Sequence, residues 1–155
     1  MNDPQQNTPT PENYMTLTFP SLSENESFAR VAVASFAAQL DPTMEQLTEL
    51  KTAVSEAVTN AIIHGYEDRA GEVRIRCTIR MGTVEVIVED DGAGISDVEQ
   101  ARQPLYTSRP ELERSGMGIT IMENFVDELF IESTPGKGTR VIMRKTISDR
   151  SALHS

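Results

Sequence analysis

The chain has 155 residues, with 24 acidic and 14 basic side chains and a formal net charge of −10. This length fits one domain that buries its own core. The acidic balance argues against direct binding to nucleic acid or to an anionic membrane surface, and no local basic patch offsets it. The single cysteine, Cys77, excludes an internal disulfide and favours a cytoplasmic location. No run of about 18 apolar residues occurs, so we expect neither a membrane span nor a secretory signal.

The first folded element is expected after a polar leader. Residues 1–13 are rich in Asn, Gln, Pro and Thr, a composition typical of disorder. We expect one domain over residues 14–147 and a flexible tail over residues 148–155. The alternating apolar residues of "YMTLTF" predict a strand. Ser23 and Glu26, three residues apart, predict a capping box at the start of an amphipathic helix.

Further elements follow from local patterns. A second helix is predicted from "DPTMEQLTEL", with Asp41 as its N-cap, to a stop at Gly65. The alternating segments "EVRIRCTIR" and "TVEVIVED" predict a hairpin with Cys77 on its buried face. Residues 90–118 sustain no period, which predicts a long functional loop. A third helix in "GITIMENFVDEL" and a second hairpin across "PGKG" follow.

The order of these elements predicts the fold class. Strands that come in adjacent pairs disfavour a doubly wound parallel sheet. Helices interleaved with hairpins instead indicate an α+β protein. We therefore expect a two-layer sandwich in which a mixed, mainly antiparallel sheet carries helices on one face.

Polar side chains interrupt the second helix. At 100° per residue its core stripe consists of Val54, Val58, Ala61, Ile62 and Gly65. Glu56 and Asn60 lie nearly opposite, beside small alanines, as in the wall of a cleft. An ordinary exposed helical face is the alternative interpretation. His64 lies nearer the flank, where a structural or helix C-terminal role is expected.

A glycine-rich turn follows the third predicted strand. Asp90, Gly92 and Gly94 form D-x-G-x-G, in which glycines permit close approach of the backbone to a ligand. The carboxylate at the strand end can accept a hydrogen bond from an exocyclic amine or hold a cation. Taken alone, this pattern is more typical of an ordinary Asp-Gly turn.

A second pair of glycines precedes the third predicted helix. In "RSGMGIT", Gly116 and Gly118 lead into a helix whose free N–H groups would form an anion site. Arg114 stands just before them and is suited to pair with a phosphate. "PGKGTR" alone indicates only a hairpin turn. The P-loop and the protein-kinase signatures are absent from the sequence.

In combination these motifs resemble the boxes of the GHKL ATP-binding superfamily. They occur in the order E-x-x-x-N, D-x-G-x-G, long loop, G-x-G and G-x-G-T. Two blocks, residues 23–67 and 101–129, further resemble the sporulation anti-sigma factor and serine kinase family of endospore-forming bacilli. The resemblance covers residues 14–146. It implies the Bergerat fold, an α/β sandwich whose long loop serves as an ATP lid.

The resemblance implies two cofactors, ATP and Mg²⁺. Asn60 would be the protein ligand of Mg²⁺. Asp90 would accept the adenine amino group, Gly94 would line the base, and Thr139 would assist through water.

The resemblance also implies roles near the phosphates. Gly116, Gly118 and Arg114 would contact them. Glu56, one turn before Asn60, would take the proton of the attacking nucleophile.

The resemblance implies protein partners as well. The phosphate acceptor would be a serine of an anti-anti-sigma factor, and a dimer of this chain would sequester a sporulation sigma factor. Arg30 would lie on the surface used by both partners, although its spacing alone also fits a solvated helix position. Two alternatives remain open: an ATPase without a protein acceptor, and a binding module that nucleotide only switches.

Overall fold

The computed structural model describes residues 11–66, 70–94 and 110–147, without the side chains of residue 64 and residues 110–117. The strands are β1 (Asn13–Pro20), β2 (Glu72–Arg80), β3 (Thr83–Asp90), β4 (Glu128–Thr134) and β5 (Gly138–Thr146). The helices are α1 (Glu24–Ala37), α2 (Met44–Asn60) and α3 (Pro110–Phe125), with a 3-10 turn at Ala38–Leu40 and a π-helical turn at Ala61–Gly65. None of these described helices is long and apolar enough to cross a membrane. The predicted leader and tail lie almost wholly outside the described residues.

The five strands form one sheet in the order β1-β2-β3-β5-β4, and every described pair is antiparallel. The predicted α+β fold is confirmed. Both predicted hairpins, β2–β3 and β4–β5, are present. Successive side chains of a strand point to opposite faces of the sheet, so every second one lies in the core between sheet and helices, as for Val73, Ile75 and Cys77 of β2. Burial raises the pKa of the Cys77 thiol to about 12, so this cysteine is an inert core residue.

The opposite face of the sheet carries charge. Arg74 pairs with Glu89, and Glu89 pairs with Arg140, across three neighbouring strands. Arg144 pairs with Glu85 at 2.7 Å in a parallel row. Solvent-exposed pairs of this kind add little stability each, but they keep this face polar and leave the helices to cover the other.

The starts of α1 and α2 differ from the prediction. Ser23 precedes α1, but its side chain makes no capping hydrogen bond. The capping box stands instead at α2, where Thr43 Oγ1 accepts from the Gln46 N–H at 3.0 Å and Gln46 Oε1 accepts from the Thr43 N–H at 2.9 Å. Asp41 is therefore not the N-cap. It ends the 3-10 turn with φ of 52°, whereas Thr43 has the extended backbone that an N-cap requires.

The end of the second helical segment agrees with the prediction. After Asn60 the helix widens into the π-helical turn and stops at Gly65. All five residues of the predicted core stripe are buried. A single π-helical turn inside a helix is frequently found at a functional site, and here it lies next to the end of β3.

The start of α3 was predicted wrongly. The helix begins at Pro110 rather than near Gly118, and the sequence "PELER" explains why. Proline fits the first turn of a helix, and the residues after it are good helix formers. Gly118 therefore lies inside α3. The rest of the predicted loop, residues 95–109, lies outside the described residues.

Candidate nucleotide site

One cleft opens between α2, α3 and the part of the sheet where β3 ends and β5 begins. Four of the predicted site residues, Asn60, Asp90, Gly94 and Thr139, line it. Its apolar walls come from α2, α3 and the sheet and include Ala57, Ile119, Met122 and Ile131. The concave shape, apolar walls and few polar groups are typical of a small-molecule site.

Asp90 supplies a buried carboxylate at the base of the cleft. It is the last residue of β3 and only 7% exposed. Its Oδ1 accepts a hydrogen bond from the Gly92 N–H at 2.9 Å. Burial raises the pKa of Asp90, and the Gly92 N–H offsets part of that rise. A carboxylate in such surroundings favours a ligand that donates a hydrogen bond to it.

The π-helical turn packs directly on this carboxylate. A Cβ at Gly65 would lie 2.8 Å from Asp90 Oδ1, so only glycine permits the contact. The Gly65 carbonyl also accepts the Ala93 N–H at 2.6 Å, which ties the turn after β3 to the end of the helix. Gly65 was predicted as a helix stop and as part of the core stripe, but its contact with Asp90 was not predicted.

The two glycine-rich turns are neighbours in space. Gly94 has φ of +76°, and a Cβ there would lie 2.3 Å from the Thr134 carbonyl at the end of β4. Thr139 pairs with Asp90 in the sheet register. The Thr139 hydroxyl also shares a hydrogen bond with the Ser133 hydroxyl at 2.9 Å. Residues about 50 positions apart in sequence thus form one side of the cleft.

Glu56 and Asn60 stand one turn apart on α2, each partly exposed. Gly118 of α3 covers both: a Cβ on it would lie 2.8 Å from Glu56 Oε2 and 3.4 Å from Asn60 Nδ2. Burial, and to a lesser degree the Glu26 carboxylate, raises the pKa of Glu56. A carboxylate whose pKa is raised is a better proton acceptor than an ordinary surface glutamate.

Other predicted site residues are placed less fully. Arg114 and Gly116 lie within α3, and His64 lies within the π-helical turn, but only the backbone of these three residues is described. Because α3 begins at Pro110, the prediction of a helix start near Gly118 is wrong, and a phosphate contact at Gly116 and Gly118 stays a prediction. Arg30 lies on α1 with its side chain 38% exposed and 3.9 Å from Glu26.

The oxygen atoms at the cleft fit a magnesium ion that is coordinated mainly by phosphates and waters and by few protein atoms. Within the described residues there is no group of three or more His, Cys, Asp and Glu side chains that could hold a metal ion. Mg²⁺ is commonly bound by one or two protein oxygens together with phosphates and waters. The Asn60 amide oxygen, at the wall of the cleft and one turn from Glu56, is suited to be such a protein ligand.

The sequence matches known proteins along most of its length. Residues 19–145 match the family described as histidine kinase-like ATPase domain. An anti-sigma F factor from Clostridium novyi is 65% identical over 136 residues, which cover 87% of this chain and 95% of that protein. An anti-sigma F factor from Geobacillus kaustophilus is 62% identical over 142 residues, covering 91% and 97%.

A solved structure shows the same fold. The RsbU and RsbW domains of a Mycobacterium tuberculosis protein match 91% of this chain and 33% of that chain, with a TM-score of 0.64 and 21% identity. The site geometry and the high identity to curated relatives agree with each other. The chain belongs to the anti-sigma F factor family, within the histidine kinase-like ATPase domains.

Proposed function

We propose that this chain binds Mg·ATP in the cleft, inhibits a sporulation sigma factor, and phosphorylates a serine of an anti-anti-sigma factor. The observation that carries the proposal is the convergence of two pairs of residues at the cleft. Gly118 packs over Glu56 and Asn60 on one side, and Asp90 pairs with Thr139 on the other. The names of the relatives at about 60% identity support the anti-sigma role.

The adenine end of the nucleotide would lie at Asp90. The buried carboxylate accepts a hydrogen bond from the exocyclic amino group of adenine, and Gly94, which has no side chain, leaves room for the adenine ring. Thr139 completes this end from the neighbouring strand. Because the walls of the cleft are apolar, the hydrogen bond to Asp90 selects a nucleobase that carries a donor group facing this carboxylate.

The phosphate end would lie at α2 and α3. Magnesium, held in part by Asn60, would neutralise charge on the phosphates. Glu56 accepts the proton of the serine hydroxyl while the serine oxygen forms a bond to the γ-phosphorus. The bond from that phosphorus to the bridging oxygen breaks, and ADP leaves. Arg114 and Gly116 are the further residues that we propose for the phosphates, with Arg114 stabilising the transferred group.

The partner surface would include α1. Arg30 is partly exposed there, and within the described residues it makes a 3.9 Å ion contact with Glu26 and a 3.4 Å hydrogen bond to Ser27 Oγ, both within its own helix. A guanidinium held this loosely is available to a carboxylate of another protein. We propose that the sigma factor and the anti-anti-sigma factor both use this surface, on a homodimer of this chain in the cytoplasm.

A transfer assay tests the proposal. Purified protein, Mg²⁺ and γ-labelled ATP are incubated with the candidate anti-anti-sigma factor, and the label on serine is followed. The wild type transfers label, whereas Glu56→Gln binds ATP within about twofold of wild type and loses at least about 100-fold in rate, the usual contribution of a general base. Equal transfer by both proteins would exclude Glu56 as the base.

The same assay separates the alternatives. Label released only as free phosphate supports an ATPase without a protein acceptor. ATP binding that changes sigma-factor affinity without any transfer supports a nucleotide-switched binding module. Failure of the wild type to bind ATP overturns the proposal as a whole.

A further inference from the structure

Lys145 is a buried cation that no step of the proposed reaction uses. It lies on β5 and is only 7% exposed. Its ammonium donates to Glu49 Oε2 at 2.8 Å and to the Phe125 carbonyl at 2.7 Å. A buried charge is tolerated when it is paired and hydrogen-bonded. The two partners come from two different helices, α2 and α3.

The contact with Phe125 stands at the C-terminus of α3. The last carbonyls of a helix have no partner within it and carry partial negative charge. The last turn of α3 contains no basic residue of its own, so Lys145 supplies the cation from the sheet. Asp127 adds two bonds: its N–H donates to the Arg144 carbonyl at 2.8 Å, and its Oδ2 accepts the Thr146 N–H at 2.6 Å. The end of α3 is thus fixed to β5.

The geometry connects this point to the cleft along both helices. Glu49 precedes Glu56 by seven residues on α2, and Phe125 follows Gly118 by seven residues on α3. Seven residues correspond to about two helical turns, or about 10 Å. Lys145 therefore joins the two helices two turns away from the place where Gly118 packs over Glu56.

We propose that Lys145 is a positioning residue for the nucleotide site, because its single ammonium holds α2 and α3 at the separation that the cleft requires. The inference rests on the proposed nucleotide binding and deepens it. Neither hydrogen-bond partner of Lys145 lines the cleft, and Lys145 takes no part in the proposed chemistry. It acts through Gly118 and the adjoining cleft wall at Ile119, which the anchored helix presents to α2.

The test compares Lys145→Met with a core variant of equal stability. Methionine keeps the length of the side chain and removes the charge and the donors. Val86→Ala is the control, since Val86 is fully buried in β3 and does not line the cleft. Thermal melting establishes that both variants are folded and comparably destabilised. Amide hydrogen exchange and the affinity for a fluorescent ADP analogue are then measured for each.

For Lys145→Met we expect amides of residues 119–125 to exchange about tenfold faster relative to those of β2, because local opening is detected separately from global unfolding. We expect ADP affinity to fall about tenfold, since small misplacements at a site have effects of this size or larger. The KM for ATP rises with it. Val86→Ala changes the exchange of both elements alike and keeps ADP affinity within about twofold.

Two results would overturn the inference: unchanged relative exchange of α3 in Lys145→Met, or an equal loss of affinity in Val86→Ala. If Lys145→Met does not fold, Glu49→Gln replaces it, because that change removes the charge on α2 and leaves the bond to Phe125. The exchange measurement uses no nucleotide. It therefore decides the role of Lys145 even if the wild type does not bind ADP, an outcome that would count against the proposed function instead.

Discussion

Adjacent carboxylates at the end of β3 have opposite surroundings. Asp90 is buried against Gly65, and burial raises its pKa. Asp91 is exposed, and two hydrogen bonds from Arg74, at 2.9 and 3.1 Å, lower its pKa. The side chain of Asp91 is thus occupied by a surface partner. Asp90 keeps acceptor capacity for a ligand in the cleft.

This contrast gives a matched pair of variants. Asp90→Asn should weaken ATP binding by about 10- to 100-fold, because a hydrogen bond to a charged group contributes about 1.5–3 kcal/mol. Asp91→Asn removes the same charge one residue later and should leave ATP affinity within about twofold. Titration with a fluorescent ATP analogue measures both. A similar loss in the two variants would mean that Asp90 is not the base-recognition residue.

A substitution at Gly118 should affect stability and phosphate transfer differently. Alanine is favoured over glycine inside a helix by up to about 1 kcal/mol. However, its Cβ would lie 2.8 Å from Glu56 Oε2, and the flexible end of that side chain would yield first. Gly118→Ala should therefore melt no lower than the wild type. It should nevertheless transfer phosphate at least about tenfold more slowly, because the rate depends on the position of the Glu56 carboxylate.

The control for Gly118→Ala is Asn124→Ala, an exposed substitution on the same helix. It gains helix propensity without approaching Glu56, so its transfer rate should match the wild type. Melting curves and the labelled transfer assay are measured on both. A normal rate in Gly118→Ala would contradict the close packing over Glu56.

Single side chains of the site differed in how well the sequence revealed them. Asn60, Asp90, Gly94 and Thr139 were predicted through motif order and resemblance, and the structure brings them to one cleft. Gly65 was missed because its role is a contact with Asp90, 25 residues away. No local pattern encodes such a contact.

At the scale of elements, helix starts carry a testable difference. Thr43 makes both bonds of a capping box with Gln46, whereas Ser23 makes no capping bond. Thr43→Ala should lower the free energy of unfolding by about 1 kcal/mol, which corresponds to about 3–4 °C in Tm at this size. Ser23→Ala should change Tm by less than about 1 °C. Urea and thermal unfolding distinguish the two, and equal losses would contradict the assignment of the box.

Strands were predictable where helix boundaries were not. The period of two in β2, β3 and β5 comes directly from the burial of one face, so sequence and structure agree there. Helix boundaries depend on single bonds that several candidate residues could make. Asp41 and Thr43 are both residue types that suit an N-cap, and they are distinguished only by the backbone conformation that each adopts in the structure. Likewise, Gly118 resembled a helix boundary but serves close packing of α3 on α2.

At the scale of the whole molecule, distant strand pairing creates the site. The pairs β2–β3 and β4–β5 are local hairpins, and sequence adjacency predicts them. The pairing of β3 with β5 is not local, yet it sets Asp90 opposite Thr139 and brings two turns together. Motif order indicated this meeting only through resemblance to a known family. Hydrophobic pattern alone leaves the partner of β3 open.

Glu56, the carboxylate that we propose as the general base, should reduce the stability of the whole fold. Its pKa is raised from 4.5, so between pH 4.5 and its folded pKa the native state binds more protons than the unfolded state. Stability then decreases as pH rises through that window, and ionised Glu56 is a net cost at pH 7. The pKa of Asp91 is lowered from 3.8, so its contribution is favourable above that pH and is lost as pH falls through the folded pKa.

Glu56→Gln and Asp91→Asn both remove one negative charge, so general repulsion among the net −10 charges changes alike. Their effects on stability should nevertheless have opposite signs at pH 7. Glu56→Gln should unfold at higher urea concentration than wild type, by a margin that shrinks as pH falls toward 4.5. Asp91→Asn should lose up to about 1 kcal/mol, the range of an exposed ion pair. Urea unfolding between pH 4.5 and 7 measures both, and a stability loss in Glu56→Gln would mean that function imposes no cost at this position.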